Sequence, residues 1–444
     1  MHVQIRPKNV CTLIQVLLAS FLLIAAGPKQ VSEWEWEDVP RVVAMGDVHG
    51  NLDKLTAILQ GTGVVNDRLR WTGGSDHVVL CGDMVDRGPA DREVLDLVKR
   101  LQKEAARKGG WVHALWGNHE LMNLVRDFRF VSAQGFASFA KEERAQDRHE
   151  IWLVFQRFNE SAGVSAEQLK AFFDEQYPPG YFARQKAFGA KGDYGSWLIR
   201  QPILVKINGI VFLHGGLTPE VAALGIEKIN RSFRESIPLV LQSIEVLDPI
   251  VAGVPTFANL AGAALYVVDS QAQAEAQKQA EAEQPALPPN VVLASRTFLE
   301  QTETLPFLPE GPLWYRGNST KSEEEELARF ERVLELLDAR AVMVGHTSTR
   351  NGLVTTRFGG RLYRGDVGMG FGRPPRAVVF QGLEALVYDP GTHAYSPPQI
   401  ERPQGDGSLP VDVDASTESS PPAEPPEDIQ KDEREGESSP PPNN

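Results

Sequence analysis

Short polar clusters follow five apolar segments of this chain, and they constrain the fold more than any other feature. The apolar segments are predicted strands, and the clusters at their ends are 46-GDVHG-50, 82-GDMVDRG-88, 117-GNHE-120, 214-HGG-216 and 345-GH-346. In open α/β sheets, ligands bind beyond the carboxyl ends of the strands. We therefore expect all five clusters to converge on one edge of a sheet.

Apolar strands alternate with helical patterns over residues 41–390, which predicts an α/β core. Strands are predicted at 41–45, 77–81, 111–116, 203–207, 210–214, 341–345 and 386–388. Helices are predicted at 51–61, at 91–108 and from Ser322, where a serine-to-glutamate capping box marks the start. Two longer stretches are predicted to be cap insertions over the sheet. The first, about 126–195, is aromatic-rich and mostly helical. The second, about 220–315, begins helically and passes through 271-QAQAEAQKQAEAEQPALPPN-290, which is typical of a solvated helix or a flexible insert.

The N-terminal segment has a basic start followed by the apolar run 12-TLIQVLLASFLLIAA-26. A membrane-spanning helix needs about 20 apolar residues, so this run is short for a span. Residues 1–27 are therefore predicted to be a secretory signal, which makes the protein exported (periplasmic or secreted) with no stable membrane insertion after cleavage. The alternative is an uncleaved N-terminal membrane anchor. Residues 28–40 are predicted to be a polar leader, and the domain is predicted to span 41–395.

The acidity of the chain is concentrated at its C-terminal end. The net charge is −14, and residues 396–444 hold twelve acidic against three basic residues in a sequence rich in proline and serine. Such a segment buries too little apolar surface to offset the entropy of ordering, so a disordered acidic tail is predicted. The acidic balance also argues against nucleic acid as a partner.

The five clusters together supply oxygen and nitrogen donors. Taken singly, an aspartate in such a position can cap a helix, and a buried histidine can be satisfied by its neighbours. Taken together, the clusters offer two aspartates, one asparagine and three or four histidines, without a cysteine. These donors suit Mn, Fe or Zn rather than a soft metal. The set therefore predicts a metal centre.

The same motifs, in the same order, resemble those of the calcineurin-like metallophosphoesterases. The VDRG and GNHE forms are more typical of the phosphoprotein phosphatases, and 115-LWGNHELMNL-124, 127-DFRFV-131 and 314-WYRG-317 look like their Shewanella-like bacterial branch. The resemblance implies a metallophosphoesterase-type two-sheet α/β sandwich flanked by helices. The SAPNY-type motif of eukaryotic serine/threonine phosphatases is absent, and 366-DVGMGFG-372 stands in its region.

The resemblance implies two divalent metal ions, with Mn²⁺ as the expected ion in vitro. The first ion would be held by Asp47, His49 and Asp83. The second would be held by Asp83, Asn118, His214 and His346. A hydroxide activated by both ions would attack phosphorus in line.

The resemblance also implies roles for the neighbouring side chains. His119 would protonate the leaving oxygen, and Asp86 would orient its imidazole. Arg87 and Asn118 would contact the phosphate. The candidates for a second phosphate-binding arginine are Arg316 and, less strongly, Arg126 and Arg129. By contrast, 91-DRE-93 is predicted to be an ordinary solvated helix start.

The implied function is hydrolysis of phosphomonoesters in phosphorylated proteins or peptides, on tyrosine or on serine and threonine. One alternative is a phosphoanhydride hydrolase of the diadenosine tetraphosphate type, in which Trp314 or Tyr315 would form an adenine shelf. Another is an inactive metal-binding interaction module, which the intact motifs disfavour.

Overall fold

The structure is a computed structural model that describes residues 27–159, 165–248, 257–277 and 288–401. The apolar run of the predicted signal and the predicted tail from residue 402 onward lie outside the described residues. Within the described ranges, no helix is both long and apolar enough to cross a membrane.

The described residues form two sheets. The strands are β1 Lys29–Ser32, β2 Glu35–Glu37, β3 Val42–Met45, β4 His77–Leu80, β5 Trp111–Ala114, β6 Val205–Ile207, β7 Ile210–Phe212, β8 Ala341–Val344, β9 Thr355–Arg357, β10 Leu362–Arg364, β11 Ala377–Gln381, β12 Glu384–Asp389, β13 Ala394–Ser396 and β14 Gln399–Ile400. One sheet has the order β13-β12-β11-β3-β4-β5, and the other has the order β1-β2-β6-β7-β8-β10-β9-β14.

Helices flank the sheets and occur throughout the described parts of the two predicted insertions. They are α1 Leu52–Gly61, α2 Asp91–Ala106, α3 Asn118–Leu124, α4 Ala133–Ala137, α5 Ala145–Phe158, α6 Ala166–Gln176, α7 Tyr181–Phe188, α8 Gly195–Leu198, α9 Pro219–Ala222, α10 Gly225–Leu247, α11 Phe257–Gln277, α12 Pro289–Thr302, α13 Gly317–Thr320 and α14 Glu323–Leu336. The predicted capping box is present, because the Ser322 side chain accepts from the Glu325 backbone N–H. The first insertion has its own aromatic core, built from Phe128, Phe136, Phe155, Leu169, Phe173, Tyr181 and Phe182.

Parallel pairing sets the position of the polar clusters. Strands β3, β4 and β5 pair in parallel in one sheet, and β7, β8 and β10 pair in parallel in the other. The sheets face each other through aromatic contacts, with Phe380 at 5.7 Å from Phe212 and 5.1 Å from Tyr363 between ring centroids. Three clusters follow strands of the first sheet and two follow strands of the second. The clusters therefore converge between two sheet edges, rather than on the single edge expected from the sequence.

The interior strands are apolar on both faces because both faces are covered. Every residue of β3 and β4 is buried. Helix α1 adds Leu55, Ile58 and Leu59 to the same core. Full burial of one such aliphatic side chain is worth roughly 1.5–3 kcal/mol, so these layers hold the loops at the strand ends in place.

Residues 28–40 are part of the fold, which differs from the predicted polar leader. They form β1 and β2, and β2 pairs in parallel with β6. Trp34 and Trp36 are both 3% exposed and belong to the main core. The alternation in 33-EWEWE-37 is the period-two signal of a half-buried strand, but three glutamates in five residues make the segment look polar.

The ordered chain also extends beyond the predicted boundary at residue 395. Strand β13 ends at Ser396, and β14 pairs in parallel with β9. Glu401 then pairs with Arg364, with Oε1 and Nη1 2.8 Å apart. The predicted tail therefore begins at least six residues too early, because two short strand pairings outweigh the local polar composition.

A buried histidine pair lies beneath Trp36 at the other end of the parallel strands. His113 Nε2 is 3.0 Å from His77 Nδ1, and the Trp36 ring lies 4.5 Å from that of His113. Burial lowers the pKa of His77 to about 3 and holds the pKa of His113 well below its ordinary value. Both imidazoles are therefore neutral in the folded protein near neutral pH.

We expect acid to destabilise the protein through this pair. Since the folded pKa values are lowered, the unfolded chain binds protons first, and stability is lost as pH falls below about 6.5. His77 alone accounts for about 2 kcal/mol between pH 7 and pH 5. Denaturant unfolding at pH 7 and pH 5 measures the free energy of unfolding at each pH. Between these pH values, the His77→Gln/His113→Gln variant should lose less of that free energy than wild type. The control His149→Gln, at an exposed histidine, should lose as much stability between the two pH values as wild type. An equal loss in all three proteins would contradict this account.

Candidate active site

The loops after β3 and β4 are tied together at the sheet edge. The backbone N–H of His49 donates to the carbonyl of Asp83 at 2.8 Å. Five cluster residues have left-handed backbone conformations: His49, Asp83, Asp86, Arg87 and His346. Each such conformation costs of order 1–3 kcal/mol in a non-glycine residue and is typical of functional sites. The strain therefore marks this edge as more than a structural turn.

Asp83 lies at the centre of the converging side chains. Its Oδ2 is 3.3 Å from His214 Nε2, 3.6 Å from His49 Nε2 and 3.8 Å from His119 Nε2. Two buried groups can each hold a metal ion, and they consist of His49, Asp83 and His119, and of Asp83, His214 and His346. Because Asp83 belongs to both groups, the arrangement suits two ions that share one carboxylate.

The histidines are oriented as metal ligands usually are. His49 Nδ1 lies 2.9 Å from the Val85 carbonyl, and His214 Nδ1 lies 2.8 Å from the Cys81 carbonyl. A carbonyl only accepts, so each contact fixes the ring proton on Nδ1 and leaves the Nε2 lone pair facing Asp83. His346 is held in the opposite sense, with Nε2 3.1 Å from a backbone carbonyl. The three rings therefore fit a metal centre.

Asp47 and Asn118 complete the six predicted ligands. Both Asp47 oxygens accept from the His346 backbone N–H, at 3.0 and 3.1 Å. Burial raises the pKa of Asp47 well above its usual range, and the charges of Asp366 and Asp83 raise it further. Asn118 Oδ1 lies 2.9 Å from the His214 Nε2 lone pair. Crowded carboxylates and facing lone pairs both call for a cation, so the donor set fits divalent ions.

His119 and Asp86 form the predicted pair. His119 Nδ1 is 2.7 Å from Asp86 Oδ2, and both side chains are buried. The other Asp86 oxygen accepts from Asn123 Nδ2 at 2.9 Å. His119 Nε2 faces the metal-ligand cluster, where a leaving oxygen would be protonated. The grouping of His119 with His49 and Asp83 also makes it a possible ligand, which metal analysis of a variant can decide.

The candidate phosphate-binding arginines occupy different settings. The Arg87 guanidinium lies 4.4 Å from the ring centre of Phe371 and 5.2 Å from that of Phe130. Arg316 Nη1 donates to the His346 carbonyl at 2.5 Å. Burial lowers the pKa of Arg316, while the nearby Asp47 carboxylate opposes that shift. Arg316 therefore lies at the ligand cluster, and Arg87 follows Asp86 in the loop after β4.

The weaker arginine candidates pair with aspartates instead. Arg126 Nη2 donates to Asp248 Oδ2 at 2.7 Å. Arg129 Nε donates to Asp127 Oδ1 at 2.8 Å. These ion pairs leave Arg316 as the better-placed second arginine.

The prediction of a solvated helix start at 91-DRE-93 is wrong for Asp91. Its side chain is buried, Oδ1 accepts from the Asp86 backbone N–H at 3.0 Å, and Oδ2 pairs with Arg184 Nη1 at 2.8 Å. Glu93 is exposed, and Arg92 pairs with the half-exposed Glu142. These two residues therefore behave as expected for a helix start at the surface. Asp91 differs because an arginine from the first insertion returns to it.

Two further acidic residues of the site were not predicted. Glu120 accepts from the backbone N–H groups of Asp83, Met84 and Gly117 at 2.7–2.8 Å, and so joins two of the loops. Asp366 follows β10, and its carboxylate accepts from Ser348 Oγ and from the Gly368 N–H. Glu120 could have been found as the last residue of GNHE. Asp366 opens the quoted stretch 366-DVGMGFG-372 and follows Gly365, but it was not read as a strand-end cluster because β10 was not predicted.

The comparison with known families shows the family of the chain. A family model described as calcineurin-like phosphoesterase matches residues 40–349, which is more than half of the chain. The chain belongs to the calcineurin-like phosphoesterases. The resemblance drawn from the five motifs is thus confirmed at the level of the family.

Two proteins that are similar to this chain in sequence have more specific names. Shewanella-like protein phosphatase 2 of Arabidopsis thaliana is 28% identical over 260 residues, which cover 51% of this chain and 63% of that protein. Shewanella-like protein phosphatase 1 of Plasmodium berghei is 28% identical over 194 residues, 44% of each chain. The chain thus spans less than two thirds of the length of these two relatives.

A solved structure confirms the predicted fold. The cold-active protein-tyrosine phosphatase of a psychrophile Shewanella sp. superimposes with a TM-score of 0.53 over 83% of each chain, at 22% sequence identity. At that identity the likeness concerns the fold. The two-sheet α/β architecture flanked by helices is therefore shared with a known phosphatase structure.

Proposed function

We propose that this calcineurin-like phosphoesterase is a metal-dependent protein phosphatase that hydrolyses phosphomonoesters of phosphorylated proteins or peptides. The observation that carries the proposal is the meeting of six candidate oxygen and nitrogen donors with the His119–Asp86 pair between the two sheets. Arg87 follows Asp86 in the same loop. The likeness to Shewanella-like protein phosphatases supports the choice of a phosphoprotein substrate.

The side chains would divide the work as follows. Two divalent ions held by the six ligands, Asp47, His49, Asp83, Asn118, His214 and His346, would supply Lewis acidity and an activated water. The planar guanidinium of Arg87 would bind two phosphate oxygens, with Arg316 and Asn118 adding further donors. His119, oriented by Asp86, would give its proton to the leaving oxygen.

Aromatic surface beside Arg87 supports an aryl phosphate as the preferred substrate. Phe371 is 45% exposed and lies against the Arg87 guanidinium. A phosphotyrosine ring seated with its phosphate on Arg87 could pack on this exposed ring, and an aromatic pair is worth about 0.5–1.5 kcal/mol beyond the area that it buries. We therefore propose phosphotyrosine ahead of phosphoserine and phosphothreonine.

The phosphoanhydride alternative has less support. Trp314 is 2% exposed and its indole N–H donates to the Pro306 carbonyl at 2.8 Å. Tyr315 is 8% exposed and its hydroxyl bonds to Glu326 at 2.8 Å. Because both rings are held in the interior, neither is placed to form the adenine shelf that this alternative requires.

The test is hydrolysis by the full chain reconstituted with Mn²⁺, followed as inorganic phosphate for the peptides and as free nucleotide products for the dinucleotide. The substrates are a phosphotyrosine peptide, a phosphoserine/phosphothreonine peptide and diadenosine tetraphosphate. Release from the phosphotyrosine peptide at the highest kcat/KM supports the whole proposal. Preference for the serine/threonine peptide would overturn the aryl preference, and cleavage of the dinucleotide alone would overturn the phosphatase assignment.

A further inference from the structure

We propose that Arg184 is a positioning residue that holds Asp86 in line with His119, so that the first helical insertion contributes to protonation of the leaving group. The inference rests on the proposed phosphatase function and assigns a role within the same site. Arg184 belongs to α7, and 98 positions of sequence separate it from Asp86. The five strand-end motifs do not include it.

The guanidinium of Arg184 reaches three partners around the His119–Asp86 pair. Its Nη2 lies 3.1 Å from Asp86 Oδ1, and its Nη1 lies 2.8 Å from Asp91 Oδ2. Its Nε donates to Asn123 Oδ1 at 2.9 Å. The side chains of Arg184, Asp86 and Asp91 are all 0% exposed, so water does not compete for these contacts.

These contacts fix the Asp86 carboxylate on the side away from His119. Oδ2 faces His119 Nδ1 at 2.7 Å, while Oδ1 receives both Arg184 and the Asn123 amide. The Asp86 backbone has a φ of 70° and its N–H donates to Asp91. Arg184 thus contacts both the Asp86 carboxylate and Asp91, which accepts the hydrogen bond from the Asp86 backbone N–H. If the contacts of Arg184 are lost, the Asp86 carboxylate can rotate away from the imidazole.

The setting of Arg184 suits alignment better than stability. Burying an arginine and two carboxylates is costly, and replacing such a group by apolar residues is often neutral or stabilising. Three phenyl rings nevertheless enclose the guanidinium, with Phe188 at 4.9 Å, Phe139 at 5.6 Å and Phe128 at 6.0 Å. The polar contacts of this buried guanidinium are Asp86, Asn123 and Asp91. Its cost is explained if proton transfer by His119 requires Asp86 to be held in a fixed orientation. Small misplacements of catalytic groups are known to cost about 10²-fold in rate.

The experiment compares Arg184→Lys and Arg184→Gln with wild type on two substrates, p-nitrophenyl phosphate and an alkyl phosphate. The first has a good leaving group that needs little protonation, and the second has a poor one that needs the acid. We expect both variants to lose at least about tenfold in kcat on the alkyl phosphate, within the 10²–10⁴-fold that a general acid contributes. We expect little loss on p-nitrophenyl phosphate. Lysine keeps the charge but lacks the fork that spans Asp86 and Asp91.

Arg148→Lys is the matched control. Arg148 lies in the same insertion, pairs with Glu143 at 3.0 Å and packs at 5.3 Å from the Phe173 ring, but it contacts neither Asp86 nor Asp91. It should keep wild-type rates on both substrates. If Arg184→Gln fails to fold, Arg184→Lys decides the question. Wild-type alkyl phosphate kinetics in Arg184→Lys, or equal slowing of both substrates, would overturn the inference.

A second readout does not depend on turnover. In the wild-type chain, the Nδ1–H proton of His119 should give a downfield, exchange-protected NMR signal because it is held against Asp86. The signal should weaken or exchange faster in Arg184→Lys and stay unchanged in Arg148→Lys. An unchanged signal in Arg184→Lys would overturn the inference. Absence of phosphate release by wild type would instead count against the proposed function, so the two failures are distinguishable.

Discussion

Asp83→Asn is expected to abolish phosphate release and to deplete both metal positions. Asp83 belongs to both ligand groups, and its Oδ2 lies within 3.8 Å of three imidazole nitrogens. Asparagine keeps the shape but removes the charge that two cations would share. Metal ions supply several kcal/mol of transition-state stabilisation, and about 1.4 kcal/mol is tenfold in rate, so the loss should be about 10³-fold or more.

The measurement combines elemental analysis with phosphate release. The matched control is Asp76→Asn, whose carboxylate pairs with Arg41 Nε at 2.9 Å and lies before β4 instead of after it. The control should keep both ions and the wild-type rate. An Asp83→Asn variant with a full metal complement and unchanged turnover would refute the bridging role.

His119→Ala is expected to keep both ions and to slow substrates with poor leaving groups most. His119 is held by Asp86 and faces the cluster, so its loss removes a proton donor worth about 10²–10⁴-fold. An alkyl phosphate should lose that factor, and p-nitrophenyl phosphate should lose much less. The kcat values of the two substrates, measured beside metal content, check the expectation.

Two outcomes would count against the acid role. Equal slowing of both substrates would remove the reason to assign proton donation to His119. Loss of one ion from the variant would make His119 a ligand, which its grouping with His49 and Asp83 allows. His149→Ala is a suitable control, because this histidine is exposed on the first insertion.

The parts of the fold that the sequence predicted depend on short-range pattern. Strands β3 and β8 are continuous apolar runs and β4 is apolar after His77, and in each the polar cluster begins within two residues of the strand end. The helix from Ser322 was predicted because its cap is a local hydrogen-bond motif. By contrast, β9, β10 and β14 are two or three residues long, and β10 and β14 depend on pairing with β8 and β9, which lie well before them in the sequence. Propensity over so few residues carries little information, and tertiary pairing decides them.

The residues of the site also divide into those predicted from short-range pattern and those placed by long-range contacts. Asp47, His49, Asp83, Asn118, His214 and His346 all lie in glycine-flanked motifs directly after strands, and the structure brings them together. Arg184 has no such motif, and Asp366 has a glycine-flanked one whose preceding strand was not predicted. They reach the site through an insertion helix and through the unpredicted β10. Sequence pattern therefore located the donors that a metal requires, but not the side chains that position them.

A titration of the metal-free full chain with Mn²⁺, followed by phosphate release from a phosphotyrosine peptide, tests the central claim most directly. The account predicts no measurable release without metal and saturation of activity at two equivalents per chain. Turnover by the metal-free chain, or saturation at one equivalent, would contradict a dinuclear phosphatase centre.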